Sequence, residues 1–277
     1  LGSAELIGAS RHLPEPIARS GTGAVLSVGG GSMFCHWLLN VLSRLSLLED
    51  AGWGIDRLDW LAVNTLHSQY HCQAIELLGI PAAKLVASSP DDRHIQSDRL
   101  VVPTLVDRAP PWACDGLRRS FLKPAIVQAH RPVRRLYISR AWAKYRLVAN
   151  DQAVTDLLGG QFGFTTVVLE SFPLADQISL VAQAEVIVGP HGAGLTHLVF
   201  CQPGTKVLEL FSPRYVPSYF WELANLVHLD HYHLIGDPLK DRLDEAGLEA
   251  FNYIDPGAEG IWVDCDRLAA TLRLMGL

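Results

Sequence analysis

The stretch VIVGPHGAGLTH, Val186 to His197, sets three glycines, a proline and two histidines between two apolar runs. VIVG reads as a buried strand that Gly189 ends, and LTHLVF as the start of a helix. Gly192 and Gly194 have no Cβ, so the backbone there can approach a ligand closely. The first amides of a helix lack intrahelical partners. A strand, a glycine loop and a helix N-terminus therefore make a general anion site. On this reading the amides of Gly192, Ala193, Gly194 and Leu195 face a diphosphate, and Thr196 adds a hydroxyl. A plain strand-to-helix turn explains the same residues, and local physics leaves the two evenly matched. The glycine spacing does not fit GxGxxG, and no Gly-Lys-Ser/Thr follows for a Walker A loop. HGAG has a slight look of an esterase oxyanion loop, but the chain has no GxSxG elbow. His191 and His197 have neither an HExxH arrangement nor carboxylates at ligand spacing, so no metal is expected.

Other residues carry the types that anion chemistry needs. LYISRAWAKYR places Ser139 and Arg140 at a strand end, with Arg146 shortly after. Arginine binds phosphate bidentately and stays charged; a solvated surface pair is the plain alternative. Glu209, near the end of KVLELF, is placed to accept ribose hydroxyls. His36, Asn40 and Arg44 fall at i, i+4 and i+8 of one helix, opposite the Trp37–Val41–Leu45–Leu48 face. Such a stripe is usually solvated, but a Gly-Gly-Gly loop puts His36 in the first turn, where a histidine can act as a base. Asn150 reads as a helix N-cap. HLDHYH, 228–233, reads as a structural or surface strand with His231 and His233 on one face.

These residues need a scaffold, and the pattern supplies one. Strand-like runs are AVLSVGG at 24–30, RLDWLAV, AKLVAS, SDRLVVPT, RLYIS, TTVVLE, VIVG and KVLELF. They alternate with helical periods at 33–52, 114–130 and elsewhere, which predicts βαβ units and mostly parallel sheets. RPVRR, 131–135, breaks the pattern and is read as the join between two Rossmann-like halves. Open α/β sheets bind ligands beyond their strands' carboxyl ends.

A chain of 277 residues, 49% hydrophobic, can bury a large core. A net charge of −6 argues against nucleic acid as a partner. Cys35, Cys72, Cys114, Cys201 and Cys265 form no CxxC pair and are expected to be buried free thiols in a reducing compartment. No apolar run is long enough for a clear membrane span. The sequence does not start with Met and is read as trimmed, so it says nothing of a signal or anchor.

FCHWLLNVLSRLSLLE, YISRAWAKYRLVAND and DQISLVAQAEVIVGPHGAGLTHLVFCQPGTKVLELF together resemble glycosyltransferase family 61, over roughly residues 25 to 235. The resemblance implies a GT-B architecture of two Rossmann-like domains facing a cleft. Residues 1–131 would form the acceptor side and 132–277 the donor side, with the terminal helix packing back on the first. It implies an inverting, metal-independent transfer from a nucleotide sugar, expected to be a UDP-sugar, to a glycan hydroxyl in polysaccharide biosynthesis. No other cofactor is required. Ser139, Arg140, Arg146, His191, Gly192, Ala193, Gly194, Leu195, Thr196 and Glu209 would bind the donor. His36 would be the base, and Asn40 and Arg44 would lie on the acceptor side. A cytoplasmic location, with peripheral association at the inner membrane face, goes with this reading. Two residues depart from the family pattern: Asn40 stands where an acidic residue is common, and Asp151 where Glu is. A polysaccharide-modifying transferase, for example of pyruvyl groups, and a non-catalytic nucleotide or sugar binder are the alternatives.

Overall fold

The computed structural model describes residues 15–87, 94–105, 108–127 and 133–277. The chain divides into two compact units, Leu1–Phe121 and Leu122–Leu277. Arg131 and Pro132 of the RPVRR break lie outside the described residues. Both units are α/β with parallel sheets, a Rossmann-like arrangement.

The first unit contains β1 (Ile17–Val25), β2 (Trp60–Val63), β3 (Leu85–Ala87) and β4 (Ile95–Val101), in the order β3-β2-β1-β4 with every pairing parallel. The strand expected at 24–30 thus lies earlier. Its period is hidden by a bulge between Arg19 and Thr22. There the amides of Gly21 and Thr22 leave the ladder and donate to Asp98 and Asp59 side chains, each at 2.6 Å. Bulges of this kind break the alternation that sequence patterns rely on.

The helical run after β1 spans Phe34–His36, Trp37–Val41, Leu42–Arg44 and Leu45–Asp50, with a π-type turn over Trp37–Val41. π-turns widen a helix locally and are frequent near functional sites. Trp37, Val41 and Leu48 fill the core as the periodicity predicts.

The second unit contains β5 (Arg135–Ile138), β6 (Thr165–Val167), β7 (Val186–Pro190), β8 (Lys206–Phe211) and β9 (Asp230–Ile235). Their order is β6-β5-β7-β8-β9, again all parallel. Parallel neighbours need crossovers, and helices Asp151–Phe162, Leu174–Ala182 and Tyr219–Leu226 supply them. β7 is buried along its length, as a central strand covered on both faces should be. The terminal helix Cys265–Leu274 buries Leu268, Ala269 and Leu272 in this unit's own core, beside Val154, Leu158 and Val188.

This order fixes where a ligand can sit. From β5 the chain steps to β6 on one side and then returns to β7 on the other. The crevice beyond the carboxyl ends of β5 and β7 is therefore the unit's switch point. In the first unit the corresponding point lies between β1 and β4.

Among the described residues no helix is long and apolar enough to cross a membrane. None of the five cysteines is in a disulfide, but only Cys114 and Cys201 are buried; Cys72 is exposed. The expectation of uniformly buried thiols is corrected accordingly.

Candidate functional site

The loops after β5 and β7 meet at the switch point of the second unit. Arg140 stands two residues beyond the end of β5. Its guanidinium lies against Gly192, so close that a Cβ on Gly192 would stand 1.9 Å from Nη1. Nε and Nη2 donate to the Tyr145 carbonyl at 3.2 and 2.9 Å, which turns the fork toward the glycine.

Arg146 follows in the left-handed region, φ 55°. Non-glycine residues pay for this conformation and keep it where surroundings enforce it. Here its amide donates to Ala258 O at 3.0 Å, Nε donates to His191 O at 3.0 Å, and Nη1 donates to Gly257 O. Arg146 thereby ties the loop after β5 to the loop after β7 and to residues 257–258.

The two arginines are close enough to repel. Burial first, and then the charge of Arg146, lower the Arg140 pKa to about 10, with Glu170 opposing. Neither forms an ion pair among the described residues. Two cations are thus held beside a glycine turn, neither of them neutralised by an ion pair among the described residues.

The turn itself is narrower than the sequence indicates. Residues Ala193–Phe200 form a 3-10 helix, and the Leu195 amide is already bonded to Gly192 O at 2.9 Å. Leu195 and Thr196 are fully buried. The amides that remain for an anion are those of Gly192, Ala193 and Gly194. The Thr196 hydroxyl, assigned to the donor from sequence, lies inside the core. His197 is buried as well; its Nδ1 pairs with Gly194 O at 2.9 Å and burial lowers its pKa to about 4.

His191 sits at the end of β7, 5% exposed. Its ring stacks on Phe211 and meets Tyr215 and Phe220 at centroid distances of 5.4 and 5.2 Å. Nδ1 pairs with Glu209 Oε1 at 2.6 Å. Glu209 has no exposed surface, and its other oxygen, Oε2, pairs with His231 Nε2 at 2.9 Å. Sequence reasoning offered Glu209 to ribose hydroxyls. Both of its oxygens are instead engaged in the core by histidines. His231, read from sequence as part of a structural strand, is the residue that reading missed.

Ser139 also turns inward. Its hydroxyl pairs with Asp151 Oδ2 at 3.3 Å and accepts from the Ala141 amide at 3.2 Å, shaping the bend that delivers Arg140. Asp151 Oδ1 accepts from the buried Tyr137 hydroxyl at 2.6 Å. The Asn150 side chain does not cap its helix: it exchanges two hydrogen bonds with the Val263 backbone.

In the first unit, His36 is half-buried and its Nδ1 pairs with Asn40 Oδ1 at 2.8 Å. Gly30, φ +72°, lies over the ring; a Cβ there would be 3.3 Å from His36 Cδ2. Asn64, at the end of β2, holds this glycine loop through both directions of bonding with Val28. Asn40 and Arg44 do not form a solvated stripe, and Arg44 is 1% exposed. Its guanidinium donates to Leu26 O at 2.8 Å, Thr104 O at 2.9 Å and Pro103 O at 2.5 Å. It plugs the switch point between β1 and β4, so the acceptor role given to it from sequence is replaced by a structural one. An isolated buried cation is costly; carbonyl dipoles offset that cost here, and burial lowers its pKa.

The profile of the family described as Glycosyltransferase 61 matches residues 34–208. The chain belongs to that family. It is 42% identical over 65 residues, 24% of this chain and 12% of the relative, to a beta-1,2-xylosyltransferase of Oryza sativa subsp. japonica. It is 31% identical over 96 residues, 34% of this chain and 18% of the relative, to the EGF domain-specific O-linked N-acetylglucosamine transferase of Drosophila melanogaster. A beta-1,2-xylosyltransferase of Arabidopsis thaliana is 34% identical over 64 residues, 23% of this chain and 12% of the relative. The matched segments thus span less than a fifth of these relatives.

Proposed function

We propose that the chain is an inverting glycosyltransferase of GT-B type that takes its sugar from a nucleotide sugar. Family membership supports glycosyl transfer to a glycan acceptor, and relatives named as xylosyl- and N-acetylglucosaminyltransferases support a UDP-sugar donor. The observation that carries the donor site is the Arg140 guanidinium lying against Gly192 beside Arg146, with neither arginine in an ion pair among the described residues.

An inverting transfer displaces the nucleoside diphosphate directly at the anomeric carbon. The carbon–oxygen bond to the diphosphate breaks as the acceptor oxygen bonds to that carbon, and a base takes the acceptor's proton. Negative charge collects on the leaving diphosphate. Preorganised donors and cations lower that barrier most. Arg140, Arg146 and the amides of Gly192 to Gly194 fill this role without a required metal. His36 is the base: with Nδ1 donating to Asn40, its Nε2 carries the lone pair. Asn40 orients the ring and leaves the charge to develop on the histidine. A part in polysaccharide biosynthesis follows from the glycan acceptor.

The experiment is a nucleotide-sugar panel read first by thermal shift, since a selective ligand raises apparent stability by mass action. The donor selected is then incubated with glycan acceptors, and the anomeric configuration of the product is read by NMR, with and without a chelator. A product of inverted configuration formed in chelator is expected. Retention, dependence on a divalent ion, or stabilisation by phosphoenolpyruvate instead of nucleotide sugars would overturn the corresponding part.

A further inference from the structure

We propose that His231 is a positioning residue for the donor site, acting on His191 through Glu209. The proposal rests on reading the β5–β7 crevice as a diphosphate site.

Glu209 lies on β8 with no exposed surface. A buried carboxylate needs donors for both oxygens. Among the described residues no lysine or arginine bridges to it; its partners are the two histidines. Register explains the arrangement. β8 and β9 pair in parallel, Val207 with His231 and Glu209 with His233, so Glu209 and His231 share one face of the sheet. Neighbouring strands thereby deliver an imidazole to each side of one carboxylate.

The protonation pattern follows from what each ring nitrogen touches. His231 Nδ1 is buried without a hydrogen-bond partner among the described residues. A neutral imidazole carries one N–H. Placing it on Nε2 satisfies Glu209 Oε2 and leaves only a lone pair in the core; placing it on Nδ1 would bury an unused donor and set a lone pair against the carboxylate. His191 likewise donates from Nδ1 to Oε1, its plane fixed by Phe211, Tyr215 and Phe220. His191 Nε2 is then the ring atom left for a ligand, while the same residue's carbonyl accepts from Arg146 Nε. Without His231, Glu209 Oε2 loses its donor, and the carboxylate is free to rotate away from the geometry that fixes His191. Outer partners of metal-bound histidines change affinity or activity by about 10- to 100-fold when removed, and the lower end of that range is the expectation for a histidine oriented in the same way toward a diphosphate.

The test uses the full chain with 15N-labelled histidine and UDP as probe. In the unmodified protein, imidazole 15N–1H correlation spectra should show His191 protonated at Nδ1 and His231 at Nε2. His231→Gln keeps a donor near the Nε2 position and should preserve the His191 signature and UDP affinity. His231→Leu should scramble the His191 signature and weaken UDP binding about tenfold. Adding His231→Leu to His191→Gln should cost nothing further, because His231 acts only through His191. A His231 ring unprotonated at Nε2, or an equal loss from His231→Leu in both backgrounds, would overturn the proposal. Should His231→Leu fail to fold, the unmodified spectrum and His231→Gln still decide it. UDP bound equally well by His191→Gln would overturn the proposal too, because His231 acts on the donor only through His191; no UDP binding by the unmodified chain would refute the diphosphate reading instead, while the imidazole signature still tests the positioning chain.

Discussion

The Arg140 guanidinium stands where a side chain on Gly192 would begin: a Cβ there would lie 1.9 Å from Nη1. Gly194, two residues on, has room, since its Cβ would come no nearer than 3.4 Å to Ile138 Cγ2. The two glycines therefore have different reasons to be glycine. Gly192→Ala should push Arg140 off the turn and weaken UDP binding about tenfold or more, a loss of roughly 1.4 kcal/mol. Gly194→Ala should fold and bind UDP nearly normally. Calorimetric titration of both variants checks this; equal losses would mean that the turn backbone, and not the arginine, sets affinity.

Arg44 offers a contrasting arginine. Its fork satisfies carbonyls of Leu26, Pro103 and Thr104 in the core of the first unit. Arg44→Leu orphans them and should destabilise the protein by about 2–4 kcal/mol. Denaturant titration measures that loss. The KM for acceptor should stay unchanged in whatever fraction remains folded; a raised KM with full stability would restore Arg44 to the acceptor site.

His197 makes stability depend on pH in the acid range. Its pKa falls from 6.5 to about 4 in the folded state because burial disfavours the charged ring. Above pH 6.5 both folded and unfolded rings are neutral and the contribution is complete. As pH drops below 6.5 the unfolded chain takes up a proton that the folded one refuses, so stability is lost until about pH 4. The full effect is on the order of 3 kcal/mol. His197→Asn keeps a partner for the Gly194 carbonyl and removes the titration, so its denaturation midpoint should fall less steeply between pH 6.5 and 4. Identical acid limbs would show that His197 protonates without unfolding.

Thiol reactivity should follow burial. Cys72 is exposed, whereas Cys114 and Cys201 are buried, and burial, with Asp115 nearby, pushes the Cys114 thiol up to about 11. A thiol-specific disulfide reagent needs the thiolate and access to it. Cys72 should react first in the native protein, and Cys114 and Cys201 only after unfolding, as peptide mapping would show. Early labelling of Cys114 would mean that its helix opens readily.

Alternation of strand and helix was enough to anticipate two α/β units, because buried parallel strands and amphipathic helices leave strong periods. The glycine turn and Arg140 were legible because strand ends can be located from those same periods. What stayed hidden depends on pairing. The β1 bulge exchanges ladder bonds for Asp59 and Asp98 and so erases the alternation. Arg44 looks solvated on a helical wheel, yet the carbonyls that receive it come from two distant loops. His231 becomes visible only once β8 and β9 are known to be neighbours in register; the signal was a glutamate on one strand and a histidine pair of matching parity on the next. The family match ends at Leu208, just short of Glu209, so it does not mark that pair either.

The central claim is that the β5–β7 crevice binds a nucleoside diphosphate through Arg140. Calorimetric titration of UDP into the unmodified chain and Arg140→Met tests it most directly. The unmodified chain should bind, and the variant should lose about thirtyfold in affinity, near 2 kcal/mol for a charge-assisted contact. The variant's Tm should hold or rise, because a half-buried cation repelled by Arg146 has been removed. UDP affinity unchanged in a folded Arg140→Met protein would contradict the claim.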